Sequence, residues 1–258
     1  EQIRAQGGDP QRETLDFVCA KSGEPYFIDS FGEYWRAYHF VEDAYALEEV
    51  KDPQDFYESA VAFGNFQRML ADFPADTLTE TIAGFHDTKA RFAAFEKAVE
   101  EDVCGRAAGV QQEIRFIKDR YDVACVLGDL LEAGELPLRV THNDTKSNNV
   151  LMDNTTGKGL CVIDLDTVMP GLAVNDFGDS IRFGASTGAE DEKDLSKISC
   201  DMELYDIYAK GFVEGCGGAL TDMEIECLPI GAKVMTYECG MRFLTDYLSG
   251  DTYFKVDY

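Results

Sequence analysis

The amino-acid sequence predicts an α+β fold with two lobes, a partial antiparallel-sheet small lobe and a mostly helical large lobe. Three observations lead to this prediction. Short β-favouring runs separated by turn residues fill residues 15–41. Apolar side chains at helical spacing follow from residue 52. A strand–turn–strand pattern at residues 150–163 interrupts the helices and has polar residues at both ends.

The first lobe is predicted to be short. Residues 1–12 are polar, with Gly7-Gly8 and Asp9-Pro10, which indicates a loop. Strands are expected at residues 15–20, 26–28 and 33–41, with turns between them. The acidic segment Glu42, Asp43 and Ala44 follows as a connection. We therefore predict a small lobe with its connection at residues 1–44 and a helical lobe at residues 45–258.

Capping residues and apolar spacing predict the helices of the second lobe. Asp52-Pro53 pairs an N-cap with proline at the first helical position, and that helix should end near Phe73-Pro74. Asp87 or Thr88 should cap the next helix. Further helices are expected at residues 107–132, from Asn175 or Asp176 onward, and at residues 202–214 and 222–248.

The chemistry-bearing stretch is Thr141-His142-Asn143-Asp144-Thr145-Lys146-Ser147-Asn148-Asn149, followed by a strand, a turn and a strand ending at Asp164. If Thr156 and Gly157 lie at the centre of the turn, paired residues have numbers that sum to 313. Asn149 then pairs with Asp164, which brings a carboxamide and a carboxylate together. Both groups are good ligands for hard cations. This is the layout of a kinase catalytic loop.

Each residue has a role that phosphoryl transfer requires, since the protein mainly positions reactants and neutralises charge. Asp144 is the candidate general base, and Lys146 would meet charge on the transferred group. Asn149 and Asp164 would hold Mg²⁺ against ATP. The alternative is a polar surface hairpin whose Asn and Asp residues only make turns. His142 is expected to support the loop by hydrogen bonding.

A second motif competes for the metal. Asp176-Phe177-Gly178 matches the tripeptide that supplies a metal ligand in protein kinases. We assign the metal to Asp164, because Asp164 ends a strand that pairs with the strand after Asn149. Asp176 follows Met169-Pro170-Gly171, predicted to be a loop, and should cap a helix or brace the catalytic loop. Asp166 is a candidate second ligand.

The chain resembles the aminoglycoside phosphotransferase and choline kinase superfamily, and within it the bacterial N-acetylhexosamine 1-kinases. The resemblance runs from about residue 17 to the end and is strongest at residues 142–185. Three stretches carry it: Thr141 to Leu151, Cys161 to Leu172, and Asp-Phe-Gly-Asp-Ser-Ile-Arg-Phe-Gly-Ala at residues 176–185. It implies a protein-kinase-like fold, ATP and Mg²⁺ as cofactors, and Glu42, Asp43 and Ala44 as a nucleotide-binding hinge.

The resemblance also implies an acceptor site for a small-molecule sugar. Asp144, Phe183, Arg242 and Tyr253 occupy the matching positions. An arginine and a tyrosine can bond an N-acetyl carbonyl and ring hydroxyls, and an aromatic face suits the C–H face of a sugar. The alternative for Arg242 is an ion pair with Asp246 one helical turn away.

The same resemblance implies a fragment that lacks the start of the small lobe and the C-terminal end. A kinase small lobe begins with a Gly-rich strand pair, a strand lysine and a helix glutamate. Residues 1–12 supply none of them. We therefore expect this chain alone to have little kinase activity.

Three functions remain open at this point. The favoured one is transfer of the ATP γ-phosphoryl group to the anomeric hydroxyl of an N-acetylhexosamine. The second is a kinase of another small alcohol, of aminoglycoside or choline type. The third is a non-catalytic binding protein of the same fold.

Composition limits the partners. The formal charge is −26, with 49 acidic and 23 basic residues, which argues against nucleic acid or an anionic membrane surface as partner. The eight cysteines show no Cys-x-x-Cys spacing, so reduced, mostly buried thiols are expected. No apolar run approaches a membrane span and no signal peptide is evident, which predicts a cytoplasmic protein. The sequence leaves the oligomeric state open.

Overall fold

The computed structural model describes residues 1–47, 50, 52–188 and 192–254. In this part of the chain the helices, in order, are α1 (Gln2–Ala5), α2 (Pro10–Glu13), α3 (Pro53–Met69), α4 (Thr88–Glu101), α5 (Gln111–Lys118), α6 (Tyr121–Glu132), α7 (Ala173–Gly184), α8 (Met202–Cys216) and α9 (Asp222–Ser249). The strands are β1 (Phe27–Ile28), β2 (Tyr34–Trp35), β3 (Ala44–Ala46), β4 (Arg139–Thr141), β5 (Val150–Asp153), β6 (Gly159–Val162) and β7 (Met169–Gly171). A small antiparallel-sheet part therefore precedes a mostly helical remainder, as predicted.

The N-terminal segment contains less strand than its sequence predicts. β1 pairs antiparallel with β2, and residues 15–20 contribute one isolated bridge, Phe17 to Tyr38. The first twelve residues, expected to form a loop, instead contain α1 and the start of α2. Asp9 caps α2 by accepting the Gln11 N–H at 3.0 Å, so Asp9-Pro10 acts as a helix start.

The predicted connection leads directly into the sheet of the larger lobe. Ala44 begins β3, which pairs antiparallel with β5, so the expected boundary at residue 44 falls at a strand. The division into two lobes stays a prediction. Residues 48, 49, 51, 189–191 and 255–258 of the expected larger lobe lie outside the described residues.

The hairpin of β5 and β6 has a different register from the predicted one. Val150 pairs with Val162 and Leu151 with Cys161, so their residue numbers sum to 312 and not to the predicted 313. Met152 pairs with Gly159, which gives a sum of 311. An irregularity lies between Leu151 and Met152. The Ile163 N–H donates to the Asn149 carbonyl at 2.9 Å. The expected direct pairing of Asn149 with Asp164 is therefore wrong, and Asp164 lies one residue further along.

The helix starts predicted at Asp52 and Asp87 are confirmed. Asp52 accepts the Gln54 N–H and Asp87 accepts the Ala90 N–H, and α8 and α9 begin and end within two residues of their predicted bounds. The long helix predicted over residues 107–132 is divided into α5 and α6. Arg120, with φ −114° and ψ 4°, lies outside helical geometry. Ile114 and Ile117 of α5 and Ala124 of α6 still pack into one hydrophobic core.

The start of α7 also differs from the sequence prediction. Leu172 occupies the N-cap position, so neither Asn175 nor Asp176 caps the helix. Met169–Gly171, expected to be a loop, forms β7 and pairs with β4. This pairing places the first turn of α7 beside the residues that follow β4.

The helical core depends on close backbone approach. α3 packs along α8, and α7 packs along α9. A Cβ added at Gly178 would overlap the carbonyl of Gly231, and one at Gly231 would overlap the carbonyl of Val174. α7 and α9 therefore meet through their backbones, with little freedom to shift.

The cysteines are less uniformly buried than the sequence predicts. All eight cysteines are free thiols; Cys125, Cys161, Cys216 and Cys227 are buried, whereas Cys19, Cys104 and Cys200 are exposed. Burial raises the pKa of Cys161 to about 11. In the described part of the chain, no helix has both the length and the hydropathy that crossing a membrane requires.

Candidate active site

The loop after β4 is held by the first turns of α7. The buried Asp176 carboxylate accepts the backbone N–H groups of His142 at 2.9 Å and Asn143 at 2.8 Å. Gln67, on α3, donates its amide to the same carboxylate at 2.7 Å. Burial raises the pKa of Asp176, whereas His142 and these donors act in the opposite direction. Asp176 thus braces the loop, one of the two roles expected for it.

Two further residues of α7 hold the same loop, and sequence reasoning did not give them a role. The buried Asp179 accepts the Thr145 N–H at 3.0 Å, and Ser180 donates its hydroxyl to the Thr145 carbonyl at 2.7 Å. Asp176, Asp179 and Ser180 are three and four residues apart, so they share one helix face. Polar residues at this spacing in a buried helix are the signal that could have identified them.

His142 supports the loop from within the core. Its side chain is fully buried, with Nε2 2.9 Å from the Ile163 carbonyl and Nδ1 accepting the Asp144 N–H at 3.3 Å. This pattern assigns the proton to Nε2. Phe63 and Phe66 contact the ring edge to face. The geometry agrees with the structural role that the sequence predicts.

Asp144, Lys146 and Asn149 form one hydrogen-bonded cluster. Lys146 Nζ lies 3.2 Å from Asp144 Oδ1, and Asn149 Nδ2 donates to Asp144 Oδ2 at 3.2 Å and to the Asp144 carbonyl at 2.8 Å. The Asp144 carboxylate is partly exposed, at 28% of its side-chain surface. A substrate hydroxyl could therefore reach it.

Asn149 and Asp164 line one cavity of about 260 Å³. Because the Asn149 amide nitrogen is used by Asp144, its Oδ1 is the atom available to a cation. Asp164 sits in the left-handed region, with φ 57° and ψ 58°, where the chain leaves β6. A carboxamide oxygen and a carboxylate on a shared cavity fit the ligand preference of Mg²⁺. In the part that the structure describes, no cluster of three His, Cys, Asp or Glu residues suits a metal.

Asp166, the candidate second ligand, has a different partner. Its exposed carboxylate forms an ion pair with Arg36, which follows β2. The Asp166 carbonyl accepts the Thr81 hydroxyl at 3.3 Å. The two acidic residues after β6 thus differ: Asp164 lines the cavity, and Asp166 holds an arginine.

Two of the expected acceptor residues lie together. Arg242 Nη2 is 3.4 Å from the Tyr253 hydroxyl, and its Cζ lies 5.7 Å from the Phe85 ring and 5.5 Å from the Phe254 ring. Such distances suit cation–π contact. Phe183 is half-buried near the end of α7, and no ring contact joins it to this group among the described residues.

Asp246 is not the partner of Arg242 that the alternative interpretation expects. Its buried carboxylate instead accepts the backbone N–H groups of Thr252, Tyr253 and Phe254 at 2.8–2.9 Å. Burial alone would raise the pKa of Asp246, but these hydrogen bonds lower it below its ordinary value. Asp246 therefore positions the turn that carries Tyr253.

The predicted hinge residues lie at the entrance to β3. Arg12 donates to the Glu42 carbonyl at 3.1 Å and to the Asp43 carbonyl at 3.5 Å, and Asn154 N–H donates to the Asp43 carbonyl at 3.0 Å. Ala44 starts the strand paired with β5. Nucleotide binding by Glu42, Asp43 and Ala44 stays a prediction.

Comparison with known families gives a match over most of the chain. The model of the APH phosphotransferase enzyme family matches residues 13–207. This range includes β4, the loop after it, the β5–β6 hairpin and the whole of α7, and it ends within α8.

Solved structures share the fold at low sequence identity. A spectinomycin phosphotransferase in complex with ADP and spectinomycin has a TM-score of 0.55 and 14% identity, over 96% of this chain and 68% of that one. A Plasmodium vivax ethanolamine kinase has a TM-score of 0.50 and 17% identity, over 90% and 64%. A choline kinase from Cryptosporidium parvum has a TM-score of 0.51 and 10% identity, over 92% and 72%. The fold is therefore protein-kinase-like.

Proposed function

The chain belongs to the APH phosphotransferase enzyme family, and from this membership we propose that it transfers the γ-phosphoryl group of ATP to the anomeric hydroxyl of an N-acetylhexosamine. The hydrogen-bonded cluster of Asp144, Lys146 and Asn149 beside the Asp164 cavity is the observation that carries the transfer chemistry.

Asp144 acts as the general base in this proposal. Its carboxylate is held by Asn149 and Lys146 and remains open to solvent on one side. It accepts the proton of the attacking hydroxyl as the oxygen bonds to phosphorus. Lys146 Nζ, on the other side of Asp144, meets negative charge on the transferred group.

Asn149 Oδ1 and the Asp164 carboxylate would hold Mg²⁺, since both line the cavity. A bound magnesium ion supplies positive charge that neutralises the phosphate oxygens. We assign base-end contacts of the nucleotide to Glu42, Asp43 and Ala44, which lead from the small-lobe segment into β3.

The acceptor preference rests on Arg242 and Tyr253, with Asp144 and Phe183 completing the site. Arg242 can donate to an N-acetyl carbonyl, and the rings around it offer apolar faces to a sugar. Arg91, beside Phe85, adds a second positive charge near Arg242. Burial is the main cause that lowers the pKa of Arg91, and the charge of Arg242 lowers it further. Two neighbouring guanidinium groups favour a neutral, carbonyl-bearing acceptor over a cationic amine.

A kinase of another small alcohol is the second candidate. Solved relatives by fold include an ethanolamine kinase and a spectinomycin phosphotransferase. The charge of −26 would attract a cationic acceptor toward the protein. The arginine pair is the feature that argues against this candidate at the site itself.

An ADP-release assay on the intact enzyme, with a panel of acceptors, distinguishes these functions. We expect turnover with N-acetylhexosamines, with phosphorus NMR placing the product phosphate on the anomeric carbon. Turnover with amino alcohols or aminoglycosides alone would instead support the second candidate. Nucleotide binding without turnover on any acceptor would support a non-catalytic binding protein.

A further inference from the structure

The cavity at Asn149 and Asp164 contains a cationic side chain from the N-terminal segment. Arg36 lines this cavity, together with Leu15 and Tyr38 from the same segment. Among the described residues that line it, Arg36 is the one with a positive charge. Its Cζ lies 5.9 Å from the Phe17 ring, and its guanidinium pairs with Asp166.

A polyphosphate bound at the cavity of Asn149 and Asp164 needs a positively charged side chain beside it. The chain carries −26 overall, and Asp144, Asp164 and Asp166 all lie at or beside the cavity. Lys146 is paired with Asp144 on the catalytic loop. A nucleotide triphosphate would therefore meet mostly negative charge unless a further cation compensates.

Arg36 can leave its present partner at little cost. Its side chain is 48% exposed and that of Asp166 is 59% exposed, and an ion pair so exposed contributes little in water. A guanidinium also donates two parallel hydrogen bonds to phosphate, a geometry that a lysine does not provide. Phosphate can thus replace Asp166 as partner.

We propose that Arg36 binds the polyphosphate of the nucleotide, and that Asp166 holds its guanidinium at the cavity while no nucleotide is bound. The inference rests on the proposed ATP-dependent function. It gives Asp166 the role of a positioning residue and leaves Asn149 and Asp164 as the cation ligands.

Equilibrium binding of ATP, ADP and adenosine, measured by titration calorimetry with Mg²⁺ present, tests this proposal. Arg36→Ala should weaken ATP and ADP binding by about tenfold or more, because charge-assisted hydrogen bonds to phosphate are lost. Adenosine affinity should change less than about twofold, since adenosine has no phosphate. Arg36→Lys should retain part of the affinity. Arg115→Ala, on an exposed face of α5, is the matched control and should bind as the unmodified protein does.

Asp166→Asn separates the proposal from its competitors. Because phosphate must displace the Asp166 carboxylate from Arg36, this variant should bind ATP as well as the unmodified protein or more tightly. An equal loss for ATP and adenosine in both Arg36→Ala and Asp166→Asn would overturn the proposal and make the pair a packing contact. A loss in Asp166→Asn that grows with Mg²⁺ concentration would overturn it in favour of a metal ligand.

Failure of the proposed function has a different signature. Absence of ATP binding by the unmodified protein would overturn both proposals. Tight ATP binding by the unmodified protein and by Arg36→Ala alike would overturn this inference alone. Melting temperatures of all variants, read by circular dichroism, identify any loss that comes from unfolding.

Discussion

The carboxylate of Asp176 accepts the backbone N–H of His142 at 2.9 Å and so ties the first turns of α7 to the start of the catalytic loop. Asp176 belongs to a tripeptide that in protein kinases supplies a metal ligand. In this chain its three donors, from His142, Asn143 and Gln67, saturate the carboxylate inside the core. The position of Asp144 thus depends on a buried carboxyl group that does not line the cavity at Asn149 and Asp164.

Asp176→Asn should lower both stability and turnover. The asparagine would present an amide donor to groups that are themselves donors, which costs about 1–3 kcal/mol. We expect a lower melting temperature and, in the intact enzyme, a kcat reduced at least tenfold. Asp201→Asn is the control, because Asp201 is the N-cap of α8 and asparagine caps helices equally well. Unchanged stability in Asp176→Asn would remove the bracing role.

Asp144→Asn in the intact enzyme should reduce kcat by ~10²-fold or more, the usual magnitude for the loss of a general base. The KM for ATP should change little, because the asparagine retains the hydrogen-bonding shape and can still accept from Asn149. Steady-state kinetics with saturating acceptor measures both constants. Activity equal to that of the unmodified protein would exclude Asp144 from the mechanism.

Asp164→Asn should weaken divalent-cation binding, because an anionic ligand of the proposed site becomes neutral. Electron paramagnetic resonance of Mn²⁺, titrated in the presence of ADP, measures this affinity directly. We expect a reduction of about tenfold or more. Asp222→Asn, at an exposed position in the first turn of α9, should bind Mn²⁺ normally. Normal binding by Asp164→Asn would disprove the assignment.

Gly178→Ala should destabilise the protein, because its Cβ would overlap the Gly231 carbonyl where α7 meets α9. Overpacking of this kind costs about 1–3 kcal/mol. Gly128→Ala in α6 is the control, since nothing lies within 4 Å of a Cβ there. That control should be stabilised by about 0.5–1 kcal/mol, as alanine favours the helix. Chemical denaturation measures both changes.

The stability that Asp246 contributes should depend on pH. Its pKa is lowered in the folded protein, so the ionised carboxylate stabilises the turn at residues 252–254 above the unfolded pKa of about 3.9. This contribution is lost as pH falls through the lower, folded pKa. The difference in unfolding free energy between the unmodified protein and Asp246→Asn should therefore shrink from pH 7 to pH 3. Asp206→Asn, exposed on α8, should show no such trend.

Local signals in the sequence were sufficient for several helix starts and for the hydrogen-bonded cluster after β4. Asp52 and Asp87 cap their helices because an N-cap contact involves residues only two or three positions apart. The cluster of Asp144, Lys146 and Asn149 likewise lies within six residues. Such contacts depend little on the rest of the fold.

Register and long-range contacts were not predictable in this way. The symmetric turn assumed for the hairpin fails because Asp153 N–H bonds to the Lys158 carbonyl and an irregularity follows at Leu151 and Met152. Gly159 there approaches the backbone of α3, where a Cβ would lie 2.9 Å from the Glu58 carbonyl. The ion pair of Arg36 with Asp166 joins residues 130 positions apart, and no local sequence pattern predicts it.

The direct backbone contact between α7 and α9 limits how this protein can evolve new preferences. α7 carries the brace of the loop after β4, and α9 carries Arg242, so in the proposed function the transfer chemistry and the acceptor contact both depend on this helix pair. If the proposed function holds, mutations that tilt either helix would disturb the transfer chemistry together with recognition of the acceptor. Divergence toward a new acceptor is therefore expected to accumulate in the turn at residues 251–254 and the segment at residues 81–87, where sequence can change while the frame stays fixed.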